Sequence, residues 1–153
     1  MPGGLQIRVS LADQTLSLID GDTILRSWPV STSRFGPGTE EGSFKTPLGR
    51  FMVCEKFGDG EPRFTIFRSR QPEGLWSPGD PNDADLVLTR ILRLDGLDAD
   101  NANTYERYIY IHGTNHEDRI GSPSSHGCIR MHNDHVLQLH DLTPLGTPVT
   151  IRE

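Results

Sequence analysis

Cysteine is scarce in this chain: 153 residues hold two, Cys54 and Cys128. One possible bridge is not the dense framework of a small secreted scaffold, so disulfides are not expected to define the fold. Long apolar runs are missing too. Hydrophobic residues make up 34% of the chain, and no stretch of them approaches the ~18 needed to cross a bilayer, so no membrane span is expected. Runs of Lys or Arg are absent and the formal net charge is -6. The chain therefore lacks the basic footprint that draws proteins to nucleic acid or anionic lipid, and no nucleic-acid partner is expected. The opening Met-Pro-Gly-Gly-Leu-Gln has neither the basic nor the apolar region of a secretory signal. That leaves open a protein that stays in the cytoplasm or one whose leader has been removed. No repeat, low-complexity segment or linker divides the sequence, so residues 1–153 are read as one domain, and a monomer is expected.

What is present is mostly strand signal. Apolar residues alternate at Leu5, Ile7 and Val9, at Leu16 and Leu18, and at Ile24, Trp28 and Val30, the period of half-buried strands. Asp20-Gly21 supplies a tight turn between the second and third runs. Further strands are expected over residues 49–55, 64–67, 86–94, 107–112 and 147–152, with Gly/Pro-rich loops over 33–47 and 71–83. Helical periodicity is confined to residues 134–142, with Asn133 placed to cap the first turn. About eight short strands and one helix after them predict a mainly β fold, a β-sandwich or partly closed barrel.

The chemistry is concentrated late in the chain. All six histidines lie between His112 and His140, and Cys128 lies among them. In Ser125-His126-Gly127-Cys128 a histidine precedes a cysteine by two positions, and in extended backbone such residues project to one face. An imidazole there can take the thiol proton, making Cys128 a nucleophile and His126 its base. Gly127 would let a substrate carbonyl reach the N–H groups of residues 127 and 128, a possible oxyanion hole. Arg130 would lie on the same face, its fork suited to a substrate carboxylate or, equally, to a structural salt bridge. The bland reading of Cys128 is a small buried hydrophobe, and the same is expected of Cys54. A zinc site drawn from His112, His116, Cys128, His132 and His135 has familiar ligand spacings, but His112 and His116 fall at a strand-to-loop junction and not on a helix face. No metal or cofactor is expected.

Three segments taken together are more specific than His-x-Cys. Ile111-His112-Gly113-Thr114, then Ile120-Gly121, then Ser125-His126-Gly127-Cys128-Ile129-Arg130-Met131 resemble the signature of the L,D-transpeptidase (YkuD-like) catalytic domain family. Thr46-Pro47-Leu48-Gly49-Arg50-Phe51 and the strand ending Arg90-Ile91-Leu92-Arg93-Leu94 extend the resemblance over nearly the whole chain.

The resemblance implies a mainly β fold and a cysteine that attacks the L,D bond before the terminal D-alanine of a peptidoglycan stem peptide. An amine or water then resolves the acyl-enzyme. Carried over by residue, it implies Cys128 as nucleophile and His126 as base, with His112, Ser125, Gly127 and Arg130 at pocket positions. It further implies a base oriented by a backbone carbonyl and not by a carboxylate, and a location in the cell envelope. Two alternatives remain at this point: a catalytically silent peptidoglycan-binding module, and an L,D-carboxypeptidase acting on recycled wall fragments.

Overall fold

In a computed structural model, which describes residues 4–80 and 84–153, the alternating apolar runs become strands in the expected places. The opening meander is β1 (Leu5–Ser10), β2 (Thr15–Asp20) and β3 (Thr23–Pro29). Gly21 turns β2 into β3 at φ 61, a conformation that costs glycine nothing. The chain continues through β4 (Gly49–Phe57), β5 (Thr65–Arg68), β6 (Gln71–Leu75), β7 (Val87–Gly96), β8 (Tyr110–Gly113) and β9 (Ile129–Met131) to α1 (Asn133–Leu142) and β10 (Pro148–Arg152).

The ten strands form one open mixed sheet in the order β3-β2-β1-β10-β4-β7-β5-β6, with β8 branching from β7 and β9 pairing only β8. Most neighbours are antiparallel, while β1 with β10 and β8 with β9 are parallel. The fold is thus mainly β with a single α-helix after the motif, as expected.

One apolar core unites Ile7, Val9, Phe51, Leu92, Ile111 and Ile129 with Val136 and Leu139 of α1. All of these residues are 0% exposed, and full burial of each such side chain is worth about 1.5–3 kcal/mol. A second, smaller cluster of Phe67, Ile91 and Tyr110 lies on the other side of β7 and β8. Covered on both faces, β7 reads as a near-continuous buried run.

Four expectations change. Strand β6 falls inside the expected 71–83 loop; it is an exposed edge strand with no buried face, so it leaves no period-two signal. The last three residues of that loop lie outside the described residues. Strand β8 starts at Tyr110 because Tyr108 turns to φ 57. Ile24 is 61% exposed on the edge strand β3, past a register shift in its pairing with β2. Asn133 lies inside the first helical turn and does not cap it. Its Nδ2 donates to Thr114 O at 2.9 Å and its Oδ1 accepts from Thr89 Oγ1 at 2.5 Å. Glu117 covers the helix start instead, accepting from Asn133 N at 2.7 Å, a carboxylate where the helix dipole favours one.

Candidate active site

The parallel β8–β9 pair positions the motif. Its register sets Ile111 beside Ile129, His112 beside Arg130 and Gly113 beside Met131. Period-two geometry then sorts the ribbon into two faces. Ile111, Ile129 and Met131 enter the main core, while Tyr110 joins the second cluster, against which Cys128 packs. His112 and Arg130, in register with each other and alternating with the core residues, share that second face with Cys128.

Just before β9 the backbone leaves extended geometry. Gly127 takes φ +121, where L side chains are strained, and a Cβ there would stand 3.3 Å from Lys45 O. Two hydroxyls hold this bend. Ser125 Oγ donates to Cys128 O at 2.6 Å and accepts from Gly127 N at 3.3 Å. Thr46 Oγ1, reaching from the loop before β4, donates to Gly127 O at 3.0 Å. Ser125 is fully buried and so shapes the bend from beneath; the expected pocket contact with substrate is not its place.

The bend separates the two residues of the His-x-Cys pair. Cys128 Sγ, half-buried, accepts from Tyr110 N at 3.3 Å and lies 3.4 Å from Tyr108 O, to which it donates. His126 projects outward between Phe35 and Phe44, ring centroids 6.0 and 5.6 Å away. Its Nε2 lies 2.7 Å from Arg34 Nη2. A guanidinium only donates, so Nε2 accepts and the imidazole proton sits on Nδ1, which faces Asp85 Oδ2 at 3.7 Å. The lone pair a base requires is already engaged, and no hydrogen bond joins His126 to Cys128 among the described residues. The expectation of a shared face fails at Gly127, because the rule of two holds only along extended backbone.

His112 has the opposite arrangement. It is 2% exposed, and its Nδ1 lies 2.5 Å from the carbonyl of Gly113. A carbonyl only accepts, so Nδ1 carries the proton and Nε2 keeps its lone pair; Nε2 makes no hydrogen bond among the described residues. Burial holds the His112 imidazole below its ordinary value, partly countered by Asp85 and by the bond to Gly113 and deepened by Arg130. Burial likewise pushes the Cys128 thiol up to about 11, with the Tyr110 N–H opposing, Asp85 adding, and Arg130 and Arg107 opposing. The resting pair is therefore neutral thiol and neutral imidazole.

Arg130 is 1% exposed and lies 2.8 Å from Asp85 Oδ2, with Nη1 donating to Ser124 Oγ at 3.3 Å. Its fork is committed inside the wall, so the salt-bridge alternative describes it and the substrate-carboxylate reading does not. Burial raises Asp85, but His112, Arg130 and His126 together outweigh that and hold its carboxyl below the usual range. Asp85 also lines a cavity of about 360 Å³ with Phe67, Val87, Arg68 and Glu73. A second cavity, about 270 Å³, opens beyond His126 and is walled by Phe44, Tyr108, Arg107, Glu41 and Glu106. Cys128 packs against the Phe67, Ile91 and Tyr110 cluster, of which Phe67 lines the first hollow, and it is bonded to Tyr108, which lines the second. Of the expected oxyanion donors, Gly127 N is turned to Ser125 Oγ, while Cys128 N has no partner among the described residues.

The residues weighed as zinc ligands do not converge. His132 faces Glu117 at 3.6 Å and meets the His135 ring edge-on, centroids 5.0 Å apart, and His116 Nε2 lies 3.1 Å from Ala84 O. Ligand atoms of Asp59, His140 and Asp141 do come within 4.8 Å of one another at the end of α1. Lys56 and Arg90, after burial, hold His140 down at about 4, a positive field that opposes a cation. Asp85, Arg34, Phe35 and Phe44 are the site residues that sequence reasoning missed. They approach the motif from 40 or more positions upstream and belong to no local pattern.

With this geometry in view, the comparisons are consistent. A family model described as L,D-transpeptidase catalytic domain matches residues 5–151. The chain is 33% identical over 153 residues to YqjB of Bacillus subtilis, covering all of this chain and 74% of that protein. It is 30% identical over 146 residues to YkuD of Bacillus licheniformis, covering 95% of this chain and 64% of that one. Among solved structures, L,D-transpeptidase 3 from Mycobacterium tuberculosis in complex with a faropenem-derived adduct superposes with a TM-score of 0.64 at 18% identity, over 99% of this chain and 61% of that chain. The L,D-transpeptidase from Xylanimonas cellulosilytica gives 0.64 at 20%, over 99% and 61%. Likeness at those identities speaks to fold alone. The chain spans about three fifths to three quarters of the length of these relatives.

Proposed function

The chain belongs to the L,D-transpeptidase catalytic-domain family, and on that premise we propose that it is a cysteine acyltransferase acting on peptidoglycan stem peptides, with Cys128 as nucleophile and His112, in place of His126, as base. The observation that carries the assignment of the base is the pair of tautomers: Nε2 of His112 is free while Nε2 of His126 accepts from Arg34. A base oriented by a backbone carbonyl is also what the family signature implies, and Gly113 O supplies that carbonyl.

In this reading the Cys128 S–H bond breaks as Nε2 of His112 takes the proton, and sulfur attacks the carbonyl of the L,D bond before the terminal D-alanine. The unpartnered Cys128 N–H stabilises the oxyanion that forms. Collapse expels the D-alanine amine, which takes the proton from His112 and leaves a thioester on Cys128. A second stem's amine, or water, then attacks the thioester and passes its proton to His112, and the thiol is restored. A neutral resting pair suits this sequence, because the proton moves only when substrate is present. Two hollows near the site, one lined by Asp85 and Phe67 and the other by His126 and Tyr108, support a place for each of two stems.

The test is acylation by a carbapenem, read by intact mass. A single adduct is expected on the native protein and none on Cys128→Ala, followed by turnover of tetrapeptide stems by the native protein alone. A native protein that binds stems but forms no adduct would be a silent binding module, and the acyltransferase reading would fall.

A further inference from the structure

The Cys128 site contains a carboxylate that the reaction as derived does not use. Asp85 sits on the segment entering β7, 35% exposed at its side chain, and three basic groups from three places in the fold converge on it. Arg130 of β9 lies at 2.8 Å and His126 Nδ1 of the bend at 3.7 Å. His112 of β8 senses it without an ion-pair contact. A surface carboxylate held only for solubility would not be met by a guanidinium that is itself 1% exposed. A buried arginine with no counter-charge is expensive, and on this face its cation stands in register with His112, two residues beyond the nucleophile.

Resting on the Cys128 and His112 reading, we propose that Asp85 is a positioning residue that neutralises the Arg130 cation beside His112 and Cys128, so that His112 stays basic enough to take the thiol proton. The same carboxylate aims His126. Standing 3.7 Å from Nδ1, its charge favours the tautomer protonated there, whose Nε2 receives Arg34, and so keeps His126 out of the base role.

An unmatched cation favours a thiolate and disfavours an imidazolium. Without Asp85, Arg130 would therefore bring the Cys128 thiol down and make His112 a weaker base. With Asp85 in place the two charges cancel locally and His112 remains basic enough to take the thiol proton. Among the described residues, other charged or titratable groups also face this cluster. Arg107 acts on Cys128 from the second hollow, Arg34 is committed to His126, and across the first hollow Arg68 and Glu73 pair with each other at 2.8 Å. Tyr110 offers its hydroxyl to Arg70 at 3.0 Å.

The experiment is the pH profile of Cys128 alkylation by iodoacetamide, followed by mass, in the native protein, Asp85→Asn and Asp85→Glu. Asp85→Asn is expected to move the midpoint of thiolate formation to lower pH by about half a unit to one unit, the scale of one partly screened charge several ångströms away. Asp85→Glu, which keeps the charge, is expected to return the midpoint towards the native value. A purely structural role would change the alkylation rate without moving the midpoint. A folded Asp85→Asn protein whose midpoint coincides with the native one overturns the proposal, as does failure of both Asp85→Asn and Asp85→Ser to fold, which would assign Asp85 to the fold alone. Alkylation needs no stem peptide. A shifted midpoint in a protein that carbapenem does not acylate would therefore sink the acyltransferase reading while leaving this one standing.

Discussion

The two faces of the β8–β9 ribbon are built from alternating residues of the same few positions, yet they do different things. On one face Ile111, Ile129 and Met131 are fully buried among apolar side chains. On the other, Tyr110, His112, Cys128 and Arg130 meet a carboxylate, a backbone N–H and backbone carbonyls. Strand alternation makes this division of labour possible with no added structure: the apolar face fixes the ribbon in the sheet, and that anchorage holds the polar face in register. The polar face is where desolvation acts on groups that ionise, so it carries chemistry and tolerates burial only because each charge has a partner.

That contrast can be broken from the polar side first, where the largest effect is expected. His112→Gln should lower the rate of carbapenem acylation by about 10²- to 10⁴-fold, the usual worth of a general base, with the melting temperature nearly unchanged. His126→Gln should lower it far less. Stopped-flow acylation of the two variants decides between them, and equal losses would mean that the tautomer argument has chosen the wrong histidine.

From the apolar side, Ile129→Ala is expected to cost about 2–5 kcal/mol of stability, as cavity-forming changes in packed cores do. The acylation rate of the molecules that remain folded should stay close to native. Urea denaturation gives the first quantity and active-site titration the second. If acylation collapsed while stability held, the faces would not be separable in the way drawn here.

A smaller and pH-dependent effect sharpens the comparison with a distant part of the molecule. His140 at the end of α1 is 3% exposed, and burial, then Lys56 and Arg90, hold it down at about 4. Its folded value is thus below that of the unfolded chain, about 6.5. The unfolded chain binds this proton first, so stability falls as pH drops from about 6.5 through 4 and levels off below. The loss is expected to reach roughly 3 kcal/mol at ~1.4 kcal/mol per unit. Calorimetry at neutral pH and near pH 4.5 should find His140→Gln less acid-sensitive than the native protein. An identical acid loss in both would place the sensitivity elsewhere.

Much of this was legible in the order of residues. Alternation located β1, β2 and β10, strand-forming runs located β4 and β7, Asp20-Gly21 located the turn from β2 into β3, and the Ile111 to Met131 segments pointed to the family. The edge strand β6 was not legible, since a strand with no buried face leaves no pattern, and β9 is only three residues long. Within the site, the motif pointed to Cys128 as nucleophile and His126 as its base, but among the described residues no hydrogen bond joins the two, and Nε2 of His126 faces Arg34. A sequence rule about two-residue spacing assumes extended backbone, and Gly127 at φ +121 ends that assumption between the two residues concerned.

The sequence by itself determined the mainly β architecture, the single helix after the motif, the family, and the placing of cysteine and histidines together, because hydrophobic period and local motif are properties of neighbours in the chain. Only the tertiary structure decided which histidine has a free nitrogen, that Arg130 belongs to Asp85, and that Thr46, Arg34 and Asp85 frame the motif. The physical reason is that a proton's position is set by what an imidazole faces across space, and those partners arrive from loops and strands that folding alone brings together.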